Sequence, residues 1–435
     1  MPAPHTSDSF FHRFLTALFS FETAFALYLF AGFYKSSEYL NWIPGDLTLF
    51  FLVLSVMAGG WALWKRGFAV SRRSAALMAA MAIFSGWVLA SLLWAPPTRY
   101  GVEKATQFAL LNGWALAGAA AIMDGDRKRL TRFYGAILAL AFLFSLETLR
   151  VYLPHMDVRS YLVLGATYQA IGRSVGLGFV VTSAAYFGVR AQTRRRWLFL
   201  GLALLYFFVL LIVGARGPFL AAILALALIL SLVRGQLTRK AGLLVALALL
   251  YLAGSLTMGP SLRTLYRFNV LLTHEVGWNL PGANPTPAAL STSTTKPQIP
   301  TPNEVSNQSV ELRQERYGNA WRLWRTAPLI GAGVGSFAFH FPAEQFRVYP
   351  HNMILEILSE LGVVGLILWM VLFVIAFGGC VRRGAWRRTF SVLALGFLIF
   401  TLVNAMISGD IASNRHLFTA LGLLVATSDL QGEER

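Results

Sequence analysis

The 435-residue sequence is short of charge and nearly free of cysteine. Only 13% of its residues are Asp, Glu, Lys or Arg, against 56% hydrophobic and 14% aromatic residues. A soluble domain carries about 25% charge, so this chain cannot cover a water-facing surface of its size, and a soluble enzyme is excluded. The same apolar excess excludes intrinsic disorder. A single cysteine, Cys380, excludes an intrachain disulfide and any cysteine-built zinc or iron–sulfur site. Of the charged residues the acids are the scarcer: 37 Lys and Arg face 20 Asp and Glu, a net charge of +17. In a soluble protein that excess points to nucleic acid. In a membrane protein it reflects basic cytoplasmic loops beside anionic lipid, and no nucleic-acid partner is expected.

What is present in abundance is long apolar runs. A membrane-spanning helix needs roughly 20 mostly apolar residues. Twelve such runs are read near 14–34, 46–64, 74–94, 105–123, 130–153, 172–190, 197–213, 217–233, 241–258, 351–378, 389–408 and 414–428. The first contains Glu22 and lacks a small-x-small cleavage site, so it reads as a membrane helix and not as a cleaved signal. With the N-terminus inside, the cytoplasmic loops hold Lys65, Arg66, Arg72 and Arg73, then Arg127 to Arg129, Arg190 with Arg194 to Arg196, Arg234, Arg239 and Lys240, and Arg382, Arg383, Arg387 and Arg388. The outer loops carry scattered cations such as Lys35, Arg99, Lys104, Arg159 and Arg415. That asymmetry sets the orientation. The expected fold is all-α: a polytopic membrane protein with about 12 transmembrane helices and one large, partly helical outer loop. Residues 1–258 hold nine spans, 259–350 the loop, 351–428 three more spans, and 429–435 a cytoplasmic tail. Within the loop, the Pro/Ser/Thr/Asn-rich stretch 281–309 cannot bury a core and is expected to be mobile. An amphipathic helix is expected near 310–326, where Tyr317, Trp321 and Trp324 make a stripe suited to the membrane interface.

Four places on the outer face carry residues that topology does not explain. Gly214-Ala-Arg216-Gly-Pro218 is a tight turn between two helices, holding Arg216 beside a helix N-terminus where an anion is favoured; the bland reading is an arginine snorkelling to headgroups. Arg313, Arg316, Arg322 and Arg325 surround the aromatic stripe, either touching substrate phosphate or facing solvent and headgroups. Gly331-Ala-Gly333-Val-Gly335 resembles a phosphate loop only superficially, since no strand precedes it; close backbone approach under a substrate or into a helix crevice suits it better. Last, Pro350-His351-Asn352 opens an apolar helix that carries Glu356 and Glu360 one turn apart. The positive helix end keeps His351 neutral, the form a base requires, and the intramembrane acids need partners. Of the outer histidines His155, His274, His340, His351 and His416, only His351 combines these features. Glu22 and Glu147 have no such surroundings and read as structural.

No cytoplasmic loop is long enough for a nucleotide-binding domain, so the chain is not by itself an ATP-driven pump. The outer face has no Asp-x-Asp pair and no histidine cluster, so no metal and no cofactor is expected. Group transfer on that face needs a donor activated beforehand, such as a sugar on a lipid pyrophosphate. Arginines for the phosphates and a histidine base for the acceptor hydroxyl meet that need.

These residues resemble the O-antigen ligase family, membrane glycosyltransferases related to the O-antigen polymerases. His351-Asn352, nine residues, then Gly362-Val-Val-Gly365 is similar to the family's pattern of His, Asn/Ser/Gln, nine residues and Gly-x-x-Gly. The stretch from Arg313 through Tyr317, Pro328 and the glycines to Phe337 resembles the region upstream of it, and Gly-Ala-Arg216-Gly resembles the family's arginine-bearing turn. The resemblance implies a GT-C-like helical enzyme of the bacterial inner membrane with its site facing the periplasm. It implies a donor of undecaprenyl pyrophosphate-linked O-antigen polysaccharide, an acceptor of lipid A-core oligosaccharide, and metal-independent transfer with inversion in lipopolysaccharide biosynthesis. On that resemblance His351 matches the catalytic histidine, and Arg216 with Arg313 or Arg316 the pyrophosphate-binding arginines. Asn352, Glu356, Gly331, Gly333 and Gly335 would support them. An O-antigen polymerase uses the same donor. A lipid-linked oligosaccharide flippase is the alternative of another class, but no paired halves with matching broken helices are visible.

Overall fold

Leu, Ala, Phe and Val fill the long runs, and their ends carry the residues that start helices. Asp46, Ser71, Thr98 and Asp126 each accept a hydrogen bond from a backbone N–H of the following first turn. The computed structural model describes residues 20–155, 160–188, 193–268, 302–342, 348–382, 388–428 and 430. His274, most of the stretch 281–309, the loop cations Arg159, Arg190, Arg383 and Arg387, and nearly all of the tail 429–435 lie outside these residues.

The described residues are helical, with one isolated β-bridge, between Val163 and Ala166. The helices are α1 (Phe21–Tyr34), α2 (Leu47–Trp64), α3 (Arg72–Ala90), α4 (Arg99–Ile122), α5 (Arg127–Tyr152), α6 (Tyr168–Gly188) and α7 (Arg195–Val213). They continue as α8 (Arg216–Leu232), α9 (Leu237–Met258), α10 (Pro302–Thr326), α11 (Met353–Arg382), α12 (Thr389–Ile407) and α13 (Arg415–Ser428). Among the described residues, nine are long and apolar enough to cross a membrane: α2 to α7, α9, α11 and α12. α1 and α8 are apolar but shorter, and α13 is a largely buried helix of 14 residues. The helix expected near 310–326 begins earlier, at Pro302, where proline's fixed φ and missing N–H suit a first helical position.

α6 is the central element. It packs against α5, α7, α8 and α12, and 83% of its apolar window is buried, against 17% for α9 at the periphery. Outward faces of α2, α9 and α11 expose Phe50, Met57, Val245, Leu249, Met370 and Val374. Apolar exposure of this extent marks a lipid-facing surface. Glu22 pairs with Arg129 at 2.9 Å and Glu147 with Arg150 at 2.5 Å, which agrees with a structural reading of both acids.

α11 is broken at Gly362, whose φ of 69° is left-handed and open to glycine. The Gly-rich loop fills the break. Val363 and Val364 donate to the carbonyls of Pro328 and Leu329 at 3.0 and 3.1 Å, while Ser359 and Glu360 carbonyls accept from Ala332 and Gly333 at 3.0 and 2.9 Å. Four backbone groups orphaned by the break are thus satisfied by the loop. A Cβ on Gly331 would stand 2.3 Å from the Glu360 carbonyl carbon, and one on Gly333 2.5 Å from Ala95. Trp87 and Trp94 indoles donate to the carbonyls of Leu361 and Gly331, both at 3.1 Å, and fasten the joint to α3 and to the turn that follows it.

Candidate functional site

The turn joining α7 to α8 is built first. Gly214 takes a φ of 84° and ends α7 in the left-handed C-cap conformation. The carbonyls left free there meet two arginines from the helical residues 263–268. Arg263 donates to Ile212 O at 3.3 Å, and Arg267 to Gly214 O at 3.1 Å. Thr264 Oγ1 accepts from Gly214 N at 3.0 Å and donates to Leu210 O at 2.6 Å. Cations and donors at a helix C-terminus are favourable, so this turn is rigid, and Arg216 leaves it in a fixed direction.

Arg216 lines a cavity of about 200 Å3 formed by the ends of α6, α7, α8 and α12, with α10 and His351, two residues before α11. Arg173 of α6, Arg267, and Arg313 and Arg316 of α10 line it too, together with Tyr168, Gln169, Asn404, Ser408 and His351. No carboxylate lines this cavity among the described residues. Some of the five guanidinium groups are already partly engaged. Arg267 donates to Ser160 Oγ at 2.5 Å and lies 4.4 Å over the Tyr168 ring. Arg173 donates to Ser408 O at 2.7 Å, and Arg216 to Arg267 O at 3.3 Å. None of these bonds supplies a negative charge. Two cations about 6 Å apart at an effective dielectric of 20 repel by roughly 3 kcal/mol, and a bound dianion reverses the sign of that term.

His351 stands at the mouth of α11. Asn352, the next residue, accepts from Leu355 N at 3.1 Å and donates to Met406 O at 3.4 Å, capping α11 and stitching it to α12. His351 has a φ of 60°, uncommon for a residue with a side chain. Its ring centroid is 4.3 Å from that of Tyr349. Arg316 donates to Nε2, and Nδ1 is buried without a hydrogen-bond partner. Burial, then the charges of Arg316, Arg313 and Arg173, push the imidazole pKa down to about 3. The ring is therefore neutral, with its lone pair on the cavity side.

Of the residues singled out in the sequence, the structure gathers Arg216, Arg313, Arg316 and His351 at one cavity. It resolves the arginine run around the aromatic stripe: Arg313 and Arg316, three apart on α10, line the cavity, whereas Arg322 bonds Asn319 of its own helix. Gly331, Gly333 and Gly335 do not line it; they sit in the α11 break and against α4, the helix-crevice role. Glu356 does not line it either. With Glu360 it holds Lys104 of α4, at 2.5 and 2.7 Å, all three side chains about 1–2% exposed. Glu356 also accepts from Ile411 N at 3.1 Å.

Arg173 and Arg267 escaped the sequence reading. Arg173 had a signal, an arginine at the outer end of a run otherwise apolar. Arg267 had none, since the sequence reading placed it in the long outer loop, with no motif around it. Among the described residues no cluster of three or more His, Cys, Asp or Glu could hold a metal ion.

No curated protein matches the chain. Residues 201–370 match the sequence model of the O-antigen ligase family, a span that contains the Gly214 turn, Arg267, α10, His351 and the broken part of α11. Over residues 201–370, therefore, the chain is similar to the O-antigen ligase family.

Proposed function

We propose that the protein is an O-antigen ligase, joining a polysaccharide carried on undecaprenyl pyrophosphate to lipid A-core oligosaccharide. The observation that carries this reading is a cavity lined by five arginines and, among the described residues, by no acid, beside a histidine held neutral. Arg216, Arg313 and Arg316 bind the pyrophosphate, with Arg173 and Arg267 shaping the field around it. The acceptor hydroxyl attacks the anomeric carbon, and a new C–O bond forms as the bond to pyrophosphate breaks. The leaving group departs as lipid pyrophosphate, with inversion, and the hydroxyl proton passes to Nε2 of His351. Arg316 now engages that lone pair; the incoming pyrophosphate draws the guanidinium away and frees Nε2. Guanidinium groups in a water-poor site stabilise the departing charge, so no divalent cation is required.

Nine apolar helices and the family match fit a multi-pass bacterial membrane protein. We place it in the inner membrane with twelve spans, counting the shorter α1, α8 and α13. The basic loops set at one membrane face support that orientation, which puts the arginine cavity on the periplasmic side. The test is transfer by purified protein given undecaprenyl pyrophosphate-linked glycan and rough lipopolysaccharide, with EDTA present. A ladder on lipopolysaccharide supports the ligase, and lengthening of the donor lipid alone supports the polymerase. No transfer, or transfer restored only by added divalent metal, overturns the reading.

A further inference from the structure

One turn of α6 separates the arginine cavity from a second and larger one, of about 480 Å3. Tyr168 and Gln169 face the first, Ala170 faces the second, and Arg173 lines both. The second cavity has two kinds of wall. One is polar and net cationic, with Lys35, Asp46, Thr106, Gln107, Arg173 and Arg415. The other is apolar, and its rim is open: Leu49 of α2 and Leu110 of α4 are 60% and 58% exposed. A water-filled channel has no use for that rim, whereas a lipid with an anionic head entering sideways from the bilayer needs both walls.

The α4 wall is irregular as well. Phe108–Asn112 forms a π-helical turn, and Gln107, Leu110 and Leu111 beside or within it line the cavity. Such bulges cost helix regularity and gather at functional sites. Here the bulge is held from outside: the Tyr28 hydroxyl donates to Leu111 O at 2.5 Å, and Asn112 donates to Ile411 O at 3.0 Å. Arg415, which also lines the cavity, is fixed by Tyr28 O at 3.0 Å and lies 5.2 Å from that ring.

We infer that this second cavity is the acceptor site, which admits an anionic, sugar-bearing lipid between α2 and α4 and presents its hydroxyl to the donor across the Arg173 guanidinium. The inference rests on the transfer reaction proposed above and adds where the second substrate enters. The donor fills the first cavity, and Arg173, which lines both, makes the second an adjoining place for an acceptor headgroup.

The direct test uses a photo-crosslinking residue in place of Leu110, and in a control in place of Leu249, which is 61% exposed on α9. Each protein is placed in phospholipid vesicles with rough lipopolysaccharide or with undecaprenyl pyrophosphate. Lipopolysaccharide adducts should form at position 110 at least about five-fold above position 249. Equal labelling at both, or undecaprenyl pyrophosphate as the adduct at 110, overturns the inference. This arm needs no turnover, so it separates a misplaced acceptor site from a wrong reaction. In the transfer assay, Gln107→Trp should raise the acceptor KM about ten-fold and leave the donor KM within two-fold. Gln107 is exposed, so the change should not disturb folding, and a rise in donor KM alone would contradict the assignment.

Discussion

Two groups of charge meet the first turns of α11 and are built on opposite plans. Around Lys104 the charges close on one another: one cation, two carboxylates, all buried, at 2.5 and 2.7 Å. Around Arg216 and Arg316 the cations have, among the described residues, carbonyls, hydroxyls, a ring and a neutral histidine for company. The Lys104 cluster brings its cation and its two carboxylates into direct contact and serves to hold α4 against α11. An open cluster of like charge is unfavourable until an anion arrives, and no fold needs it for its own sake. On the function proposed above, the difference separates residues that build the frame from residues that meet substrate, although all of them are charged groups in an apolar protein.

The sharpest way to break that comparison is at His351. His351→Ala should lower transfer by roughly 10²–10⁴-fold, the usual worth of a positioned general base, with thermal unfolding in detergent little changed. Loss of folding along with transfer would move His351 to the frame.

Lys104→Met should behave in the reverse sense. It leaves Glu356 and Glu360 buried without their cation, a loss of about 3–5 kcal/mol, seen as a large drop in Tm. A variant that also carries Glu356→Gln and Glu360→Gln should recover much of it. If Lys104→Met keeps its Tm but loses activity, the closed cluster is part of the chemistry.

Arg216→Ala should cost about 2–4 kcal/mol of transition-state stabilisation, as loss of an oxyanion donor does, at unchanged Tm. Arg216→Lys should rescue only in part, because an ammonium lacks the fork that meets two phosphate oxygens. Near-normal transfer by Arg216→Ala would make it a headgroup anchor.

The smallest effect expected is an absence of change with pH. The free-enzyme imidazole titrates near 3, so the base stays in its working form from pH 8 down to 5. The profile of kcat/KM, which reports the free enzyme, should lack an acid limb near 6.5. A limb at that value would mean that His351 is solvated and unpressed by Arg316 and Arg313.

The helical architecture was legible because period, length and cap residues are local, and all twelve apolar runs have a helix in the described structure. Arg216 and His351 were legible for a related reason, since each stands at a helix end that its own neighbours announce: Gly214 and Pro218 for one, Pro350 and Asn352 for the other. What escaped was what depends on packing between distant segments. Lys104 reads as a scattered outer-loop cation until α4 folds against α11 and brings it to two glutamates more than 250 residues away. The glycines 331, 333 and 335 look like a ligand loop until Gly362 breaks the helix they fill. The π-helical turn of α4 leaves no mark in the hydrophobic period, and Arg267 reaches the cavity only because Gly214 O is there to accept from it.

The central claim is that the open arginine cluster holds the donor while His351 moves the proton. It is tested most directly by measuring the Kd for undecaprenyl pyrophosphate and the transfer rate on the same purified Arg216→Ala and His351→Ala proteins. The account predicts that Arg216→Ala weakens donor binding and transfer together. His351→Ala should lower transfer by roughly 10²–10⁴-fold with donor binding within a few-fold of wild type. Wild-type donor affinity in Arg216→Ala, or collapse of donor affinity in His351→Ala, would contradict it.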